Sequence, residues 1–537
     1  MSPEDERFVR FGPGLRTEAS ADRFGNKASL LARMSAMGLP VPPGFALGVA
    51  VCRDYFANGR GLPPYVPELL RRGIEHLESA TGLSFGSARR PLLVSVRSGS
   101  PVSMPGMMTT VLNVGLCRET LPGLILRRGN PRFAWDSYRR LLENFGEVLG
   151  VDPSTLDESL RATMSSVGAH DQAELDFRAL RDLSAAYERT LNRVSGRTFP
   201  EDPKDQLLLA TRAVLDSWMS PRAQEFRARN RLGEGGGTAV TVQAMVFGNL
   251  GRDSGAGVMF TRNPWDGDPR PLVDFKLGVQ GEDVVSHSRR SGGDDLELVF
   301  PTVYRQLLDA GQQLERAFGD MQDVEFTVEE KRLYLLQSRS GAREPLAAVR
   351  IALDLADEGR VDRTEARERI APIDLDRIRV PAVDPAAVPL AEGEPASIGV
   401  ATGQVAVSPV EAVELSRQGP VILVKDDLVP EDIAILGSTV GALMPRGSRT
   451  SHAIVVARQM GKVVVVGCPS IEVDAPLHRF RAGPREVRSG DTISIDGATG
   501  RIYLGPVEYT SRAPEELLAR ARTLIASTPV PRGTRVR

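Results

Sequence analysis

Several residue types and features are scarce in this chain of 537 residues, and each scarcity excludes a class of protein. Three widely spaced cysteines, Cys52, Cys117 and Cys468, provide neither a disulfide framework nor a cysteine metal cluster, which is typical of a reducing compartment. No apolar run approaches the roughly 18 residues that span a membrane. A net charge of −2 disfavours a general nucleic-acid-binding surface.

Residues 1–7 are charged and lack the apolar core of a signal peptide. Together with the cysteine usage, this predicts a cytoplasmic protein that has no membrane partner. Lysine is also scarce, because only 6 of the 67 basic residues are lysines. A lysine inside a candidate phosphate site is therefore slightly more informative, since its ammonium group acts as a compact point charge.

What is present is an ordinary globular composition, 41% hydrophobic and 25% charged, in a chain long enough for several domains. Changes of pattern divide the chain into six segments. Residues 1–117 mix helices and strands, 118–232 are helical, 233–343 return to strands, 344–395 form a helical linker, 396–505 alternate strands and helices, and 506–537 form a C-terminal tail.

Residues 446–458 contain the most informative histidine. A small polar stretch that ends in Thr450 and Ser451 precedes an apolar run beginning at His452, and this order predicts a helix N-terminus. Free N–H groups and the helix dipole favour an anion there. A neutral imidazole at this place is suited to accept a phosphoryl group. A structural or merely exposed histidine is the alternative, and the residues alone leave both open.

Two cationic residues are candidates for binding phosphates. Lys27 follows Gly25 at a predicted helix start, where its charge adds to backbone N–H donors. Arg97 ends a predicted strand and runs into a loop containing Gly99 and Gly106, whose N–H groups are able to surround phosphate oxygens. The spacing is not that of a P-loop, so a solvated lysine and an ordinary loop remain alternatives.

Four polar residues lie on a predicted hairpin. Asp323 and Glu325 share one face of a strand, because side chains two residues apart point to the same side. Gln337 and Arg339 do the same on the next strand. Two carboxylates that face an amide and a guanidinium are suited to hold Mg²⁺ against nucleotide phosphates. Charges on an exposed strand without any function are the alternative.

Seven segments in the same order make the chain resemble the pyruvate, phosphate dikinase family, within the wider group of phosphoenolpyruvate-utilising enzymes. The resemblance extends from about residue 11 to 505. Its segments are residues 25–45, 94–116, 238–251, 254–264, 280–285, 321–339 and 450–462, the last reading TSHAIVVARQMGK.

The resemblance implies an α/β and α+β multidomain fold. An ATP-grasp-like nucleotide-binding domain would comprise an N-terminal subdomain (1–117) and a C-terminal subdomain (233–343), with residues 118–232 as a helical insertion. A swivelling β/α phosphohistidine domain would follow at 396–505. In that family ATP and Mg²⁺ pyrophosphorylate a histidine, orthophosphate removes the outer phosphate, and the phosphohistidine then serves an acceptor bound to a separate barrel.

The resemblance also implies a role for each matched residue. Phosphates would be bound by Lys27, Arg97, Gly99 and Gly106, and the adenine cleft would be lined by Gln243, Met245 and Val246. The metal would be held by Asp323, Glu325 and Gln337, and the nucleotide would also be contacted by Gln337 and Arg339. His452 would carry the phosphoryl group, and catalysis would be assisted by Arg97 and Arg339.

The sequence departs from the family pattern at several positions. Ser448 and Arg449 replace the usual Gly-Met before Thr-Ser-His, and Arg449 would either bind the phosphoryl group or crowd the loop. Thr109, Gly278 and Ser340 replace the usual Asp, Asn and Asn. The residues after 503 are too few for a (β/α)₈ barrel of roughly 250 residues, so we expect that the acceptor is either bound to a separate phosphoenolpyruvate or pyruvate barrel protein or is another molecule altogether.

These observations predict a dikinase-like phosphotransferase that phosphorylates His452 from ATP, and they leave open whether orthophosphate is a cosubstrate. Two alternatives remain. One is a small-molecule phosphotransferase of the antibiotic-phosphorylating type, with residues 118–232 repurposed for the acceptor. The other is a non-catalytic, ATP-binding regulatory protein, which the substitutions at 448 and 449 favour and the presence of Lys27, Arg97 and His452 disfavours.

Overall fold

The computed structural model divides the chain into two compact units. The first comprises Met1–Asp253 and Tyr334–Gln337, and the second comprises Ser254–Leu333 and Ser338–Arg537. Within them the structure describes residues 6–102, 104, 107–169, 172–230, 236–281, 296–426, 428, 432–447, 449 and 452–527, with the backbone alone for residues 434, 452, 459 and 527. In these ranges no helix is both long and apolar enough to cross a membrane.

The first unit contains seven strands and nine helices among its described residues. The strands are β1 (Phe8–Phe11), β2 (Gly44–Leu47), β3 (Ser84–Phe85), β4 (Pro91–Leu92), β5 (Val94–Gly99), β6 (Thr110–Val114) and β7 (Ala239–Ala244). The helices are α1 (Ala21–Ala36), α2 (Val49–Ala57), α3 (Val66–Thr81), α4 (Leu121–Arg128), α5 (Pro131–Val148), α6 (Ser154–Val167), α7 (Phe177–Ser195), α8 (Pro203–Ser217) and α9 (Pro221–Arg229).

A five-stranded sheet in the order β1-β2-β7-β5-β6 forms the frame of the first unit. Its neighbouring strands are all antiparallel. Strand β7 lies in the middle of the sheet although more than 100 residues separate it from β6 in sequence, because the helices α4–α9 are inserted between them. Every residue of β7 is buried, which explains its nearly continuous run of small and β-branched residues.

The predicted helical segment 118–232 is observed as the helices α4–α9. Side-chain caps begin several of them, since Asn130 accepts from the Phe133 N–H and Asp176 accepts from the Ala179 N–H. Helix α5 buries Tyr138, Leu141 and Phe145 in the same hydrophobic core as the sheet. The insertion and the sheet are therefore one packed unit.

The second unit contains 17 strands and eight helices among its described residues. The strands are β8 (Gly255–Phe260), β9 (Leu272–Leu277), β10 (Gln322–Glu329), β11 (Arg332–Ser340), β12 (Val380–Val383), β13 (Ala391–Glu392), β14 (Glu394–Pro395), β15 (Val400–Ala406), β16 (Val421–Val424), β17 (Gly441–Met444), β18 (Val463–Val466), β19 (Ile471–Asp474), β20 (Arg479–Ala482), β21 (Arg485–Arg488), β22 (Thr492–Asp496), β23 (Arg501–Leu504) and β24 (Tyr509–Arg512). The helices are α10 (Leu296–Val299), α11 (Pro301–Phe318), α12 (Pro345–Asp357), α13 (Arg363–Ile370), α14 (Pro409–Ser416), α15 (Ile433–Leu436), α16 (His452–Gln459) and α17 (Glu515–Ser527). Residues 334–337 of β11 group with the first unit.

A four-stranded sheet in the order β11-β10-β8-β9 begins the second unit. Strands β10 and β8 are antiparallel, with Asp323 opposite Phe260 and Glu325 opposite Val258. Phe275 and Phe326 stack in this sheet, with their ring centroids 6.0 Å apart. The register of β10 places its two carboxylates on one face of the strand.

An eight-stranded sheet, in the order β13-β23-β22-β15-β16-β17-β18-β14, forms the other part of the second unit. Strands β15 to β18 are parallel and are connected through α14, α15 and α16. The apolar runs at 421–424 and 463–466 predict strands, and β16 and β18 confirm both. These strands are apolar throughout because hydrophobic clusters cover both faces of the sheet.

Helix α17 lies in the segment predicted as a C-terminal tail, and it packs against α12 and α13 through Leu518, Ala521 and Leu524. The three cysteines, Cys52, Cys117 and Cys468, are all free and buried. The fold is thus a mixed α/β multidomain arrangement, as the sequence predicts at that level.

Candidate functional site

A sharp backbone kink precedes Lys27. Helix α1 runs from Ala21 to Ala36 but is interrupted at Gly25, whose φ of 74° and ψ of 159° lie outside the helical region. A Cβ atom at Gly25 would lie 2.0 Å from the carbonyl oxygen of Gly99. Only glycine therefore allows this close approach. The Asn26 N–H, which follows the kink, donates to the Ser100 carbonyl at 3.0 Å.

The kink places Lys27 beside the end of β5. The Cβ atom of Lys27 lies 3.8 Å from the point that a Cβ of Gly99 would occupy, and the hydroxyl of Thr241 lies 3.6 Å from the same point. Arg97 is opposite Thr241 in the pairing of β5 with β7. Since Arg97 and Gly99 are two residues apart, they share this face of the sheet. The structure thus brings together Lys27, Arg97 and Gly99, while Gly106 lies outside the described residues.

Thr241 is a residue of this face that sequence reasoning missed. It is fully buried, and its hydroxyl has no hydrogen-bond partner among the described residues. Its signal in the sequence is a hydroxyl residue within the otherwise apolar run 239–242, in line with Gln243 two residues later. Its hydroxyl therefore lies on the same face of the sheet as Arg97 and Gly99.

The predicted adenine-binding residues lie at the end of β7. Gln243 is buried, and its side-chain amide donates to the Pro42 carbonyl at 3.0 Å, so it holds the turn before β2. Met245 and Val246 follow the strand and are partly buried. The Met245 N–H donates to the Leu93 carbonyl at 2.9 Å. The adenine-lining role of the three residues stays a prediction.

In the second unit, Asp323 and Arg339 form an ion pair. Arg339 Nε donates to Asp323 Oδ2 at 2.8 Å, and the other carboxylate oxygen of Asp323 is buried without a hydrogen-bond partner among the described residues. Burial raises the pKa of Asp323, and the guanidinium of Arg339 opposes this. Glu325 is partly buried and shares the face of Asp323 on β10. A cation could therefore bind to Asp323 Oδ1 without breaking a hydrogen bond among the described residues.

The electrostatics of Arg339 reflect the same two carboxylates. Burial alone would lower the pKa of the Arg339 guanidinium, but Asp323 and Glu325 together raise it above its ordinary value. Arg339 thus stays charged. Gln337 lies on the same strand but within residues 334–337, which belong to the first unit. Its position relative to Asp323 and Glu325 therefore stays a prediction.

Helix α16 begins at His452, where the sequence predicts a helix N-terminus. The helix packs through Ala453, Ile454 and Ala457 into the hydrophobic cluster that covers one face of the eight-stranded sheet. The side chain of His452 and residues 448, 450 and 451 lie outside the described part of the chain. The backbone thus holds the predicted phosphoryl carrier at the start of a helix anchored on parallel strands.

Arg449, one of the departures from the expected pattern, is engaged in an ion pair. Its Nε lies 3.3 Å from Glu394 Oε2. Burial raises the pKa of Glu394, and Arg449 opposes that rise. Arg449 is therefore paired with an opposite charge on strand β14. Whether Arg449 also contacts a phosphoryl group stays a prediction.

Within the described ranges, no group of three or more His, Cys, Asp or Glu side chains is arranged to hold a metal ion. A metal at Asp323 and Glu325 would therefore take its remaining ligands from other oxygen donors, such as a side-chain amide, a substrate or water. This is the usual situation for Mg²⁺, which is commonly bound by one or two carboxylates together with nucleotide phosphates.

Comparison with known families finds two matches along the chain. Residues 62–292 match the family described as "Pyruvate phosphate dikinase, AMP/ATP-binding domain". Residues 417–500 match the family described as "PEP-utilising enzyme, mobile domain". The first match contains Arg97, Gly99 and Thr241, and the second contains His452 and all of α16. Lys27 and the Asp323–Arg339 pair lie outside both matched ranges.

Comparison with individual proteins finds relatives that are called pyruvate, phosphate dikinase. The chloroplastic protein of Flaveria trinervia is 43% identical over 512 residues, which are 93% of this chain and 53% of that protein. The protein of Rhizobium meliloti (strain 1021) is 43% identical over 517 residues, which are 93% of this chain and 58% of that protein. The protein of Clostridium symbiosum is 41% identical over 495 residues, which are 90% and 56% of the two chains. The chain thus spans just over half the length of these curated relatives.

Proposed function

The chain belongs to the pyruvate, phosphate dikinase family, whose AMP/ATP-binding domain and mobile domain it contains, and from this premise we propose that it transfers a phosphoryl group from ATP to His452. In this proposal the first unit, with β10 and β11, is an ATP-grasp-like nucleotide-binding domain. Residues 396–505 form a phosphohistidine domain that swivels between two sites.

One observation carries the proposal. The contact of Gly25 with Gly99 fixes Lys27 next to the end of the strand that carries Arg97. Two cationic side chains and the N–H groups of a glycine-containing loop are the groups that bind polyphosphates in proteins. If Lys27 were only a solvated surface residue, its position would not require a backbone contact that only glycine permits.

The proposed chemistry is a transfer between a nucleotide and an imidazole. A nitrogen of the neutral ring attacks the β-phosphorus of ATP, a nitrogen–phosphorus bond forms, and the bond to the oxygen that bridges the α- and β-phosphorus breaks. AMP leaves with that oxygen and its electron pair, and the ring returns to neutrality by releasing the proton of its other nitrogen. Lys27, Arg97 and Arg339 would stabilise the negative charge on the phosphoryl oxygens.

Mg²⁺ is the cofactor that we propose for this reaction. Asp323 and Glu325 would hold it, with Gln337 as a further oxygen ligand, and the buried Asp323 oxygen that lacks a hydrogen-bond partner fits this role. When bound, the ion would neutralise charge on the phosphates. Arg339 would favour the ionised form of Asp323 and so oppose the effect of burial, because it pairs with the other carboxylate oxygen.

This step leaves a pyrophosphoryl group on His452, and its two phosphates would then pass to two acceptors in turn. On the basis of the family, we propose that orthophosphate takes the outer phosphate as pyrophosphate and that pyruvate is the final acceptor. A separate barrel protein as the binding partner for pyruvate stays a prediction, as does the cytoplasm as the compartment. Adding pyruvate with and without the C-terminal part of a curated relative would test the partner.

The experiment that tests the proposal uses ATP labelled with ³²P at one position at a time. We expect acid-labile label on the protein from β-labelled ATP and none from α-labelled ATP. Label from γ-labelled ATP should be lost when orthophosphate is added. His452→Ala should abolish labelling, whereas His478→Ala, an exposed histidine on the same domain, should not. If the unaltered protein takes up no label in the presence of Mg²⁺, the proposed function is wrong.

A further inference from the structure

Helix α16 has two packed faces. Ile454 and Ala457 face the core of their own domain. On the opposite side, Val455 packs against a second hydrophobic cluster that contains Trp265, Phe260 and residues of α12. Trp265 follows β8 and lies in the AMP/ATP-binding match, whereas α16 lies in the mobile-domain match. The helix that begins at His452 is therefore a direct contact between the two matched domains.

Arg458 is the polar residue of this second face. It is only 6% exposed, and its guanidinium carbon lies 5.5 Å from the ring centroid of Trp265. Its Nη1 donates to the carbonyl oxygens of Ala396 and Arg449, both at 3.1 Å. Its Nη2 is buried and has no hydrogen-bond partner among the described residues. Two carbonyls of its own domain and one aromatic face of the other thus surround this cation.

Two carboxylates act on the same guanidinium. Burial lowers the pKa of Arg458 to about 10, and the negative charges of Glu344 and Asp323 oppose this decrease. The Glu344 N–H donates to the Pro264 carbonyl at 2.8 Å, next to Trp265. Arg458 remains protonated near neutral pH, so a positive charge is buried at this contact. A buried charge with few partners is costly unless its surroundings attract it.

A purely internal role in the mobile domain does not account for this arrangement. The hydrogen bonds to Ala396 and Arg449 use one nitrogen of a group that has five N–H donors. The aromatic face and the two carboxylates come from residues 265, 323 and 344, all outside the mobile-domain match. If the mobile domain moved away, Arg458 would regain water and Trp265 would lose its cover.

We propose that Arg458 is a positioning residue that docks α16 onto Trp265 and thereby holds His452 at the nucleotide-binding domain. The stack is a cation–π contact in a water-poor environment, where such contacts are strongest. Arg458 takes no part in the chemical step. It determines the fraction of time that His452 spends at the nucleotide-binding domain. The inference rests on the proposed function only for its consequence, which is the rate at which His452 is phosphorylated.

Hydrogen–deuterium exchange of the full chain without nucleotide tests the docking. Each substitution is measured on the opposite domain: Arg458→Gln at residues 261–268, and Trp265→Leu at residues 456–460. We expect exchange to be roughly 2- to 30-fold faster in each, the range that corresponds to the usual strength of a cation–π contact. The double variant should be no faster than the singles, because both remove one interaction. Arg485→Gln, an exposed arginine of the same domain, should change nothing.

Three results would overturn the inference. One is unchanged exchange on the opposite domain in both variants. Another is faster exchange throughout β16 and β18 in Arg458→Gln, since this would mean that Arg458 stabilises only its own domain. The third is loss of His452 labelling in Arg458→Gln with unchanged exchange, because the residue would then act in the chemistry. Failure of the unaltered protein to become labelled refutes the proposed function but leaves the exchange result valid.

Discussion

Replacing Gly25 with alanine should move Lys27 away from the face of the sheet that carries Arg97 and Gly99, where we propose that phosphates bind. The added Cβ would lie 2.0 Å from the Gly99 carbonyl oxygen, whereas a relaxed carbon–oxygen contact is about 3.3 Å. The obstacle is backbone and cannot rotate away, so the start of α1 must shift by about 1 Å. The conformation of Gly25, with φ 74° and ψ 159°, adds a cost of about 1–3 kcal/mol for any other residue.

The consequence for function is larger than the consequence for folding. A displacement of about 1 Å at a positioned group is enough to lower a reaction rate about 100-fold. Loss of a hydrogen bond between a charged side chain and a phosphate weakens binding by about 1.5–3 kcal/mol, which is roughly a 10- to 100-fold increase in the Kd for ATP. Isothermal titration with a non-hydrolysable ATP analogue measures the affinity, and β-³²P labelling measures the rate.

Gly38 provides a matched control at the other end of α1. It also has a positive φ, 79°, but nothing lies within 4 Å of the position that its Cβ would take. Gly38→Ala should therefore cost about 1–2 kcal/mol of stability and leave the ATP affinity unchanged. If Gly25→Ala folds and binds ATP as tightly as Gly38→Ala, then the contact of Gly25 with Gly99 does not position Lys27, and the observation that carries the proposed function is wrong.

Two further predictions concern stability. Arg262 and Glu315 are both almost fully buried and form an ion pair at 3.0 Å, so Arg262→Met should lower the free energy of unfolding by about 3–5 kcal/mol. Arg270 belongs to an exposed ion pair, so Arg270→Met should lower it by less than about 1 kcal/mol. Urea denaturation measures both values, and equal losses would contradict the idea that burial makes the first ion pair more important. Burial acts to raise the pKa of Asp320, but the Arg343 guanidinium holds this pKa below its usual value of 3.8. The ion pair therefore stabilises the fold fully above pH 3.8, and this stabilisation is lost as the pH falls through the lowered pKa. The difference in urea midpoint between the unaltered protein and Asp320→Asn should therefore shrink between pH 6 and pH 3, and a constant difference would refute this.

Local patterns predicted the parts of the fold whose causes are local. The apolar runs at 421–424 and 463–466 are strands because a run of that length and branching fits a sheet covered on both faces. The small polar residues before His452 predict a helix N-terminus, and α16 begins there. The predicted strand that ends at Arg97 is instead observed as two strands, β4 and β5, because the pairing is interrupted at Leu93, whose carbonyl accepts from the Met245 N–H in a distant segment.

Features whose causes lie far away in sequence could not be predicted. The kink at Gly25 is required by Gly99, a residue 74 positions later, so sequence periodicity alone indicated only a helix start. From the sequence, Arg458 is interpreted as an ordinary basic residue in the last turn of a helix, and Trp265 is interpreted as a residue of a turn. Their contact depends on how two domains pack. The spacing of two in β10 and β11, by contrast, was enough to place Asp323 and Arg339 together.

The burial of the cysteines has a practical consequence for observing motion in this protein. Burial raises the pKa of Cys52 to about 11 and that of Cys468 to about 12, so their reactive thiolate forms are scarce near neutral pH. A new cysteine at an exposed position would then react with a maleimide far faster than these two. Glu414 on α14 and Leu126 on α4, both exposed, would accept a fluorescent donor and acceptor in a background that needs little further engineering. Energy transfer between such dyes would test the proposed motion of the histidine-bearing domain.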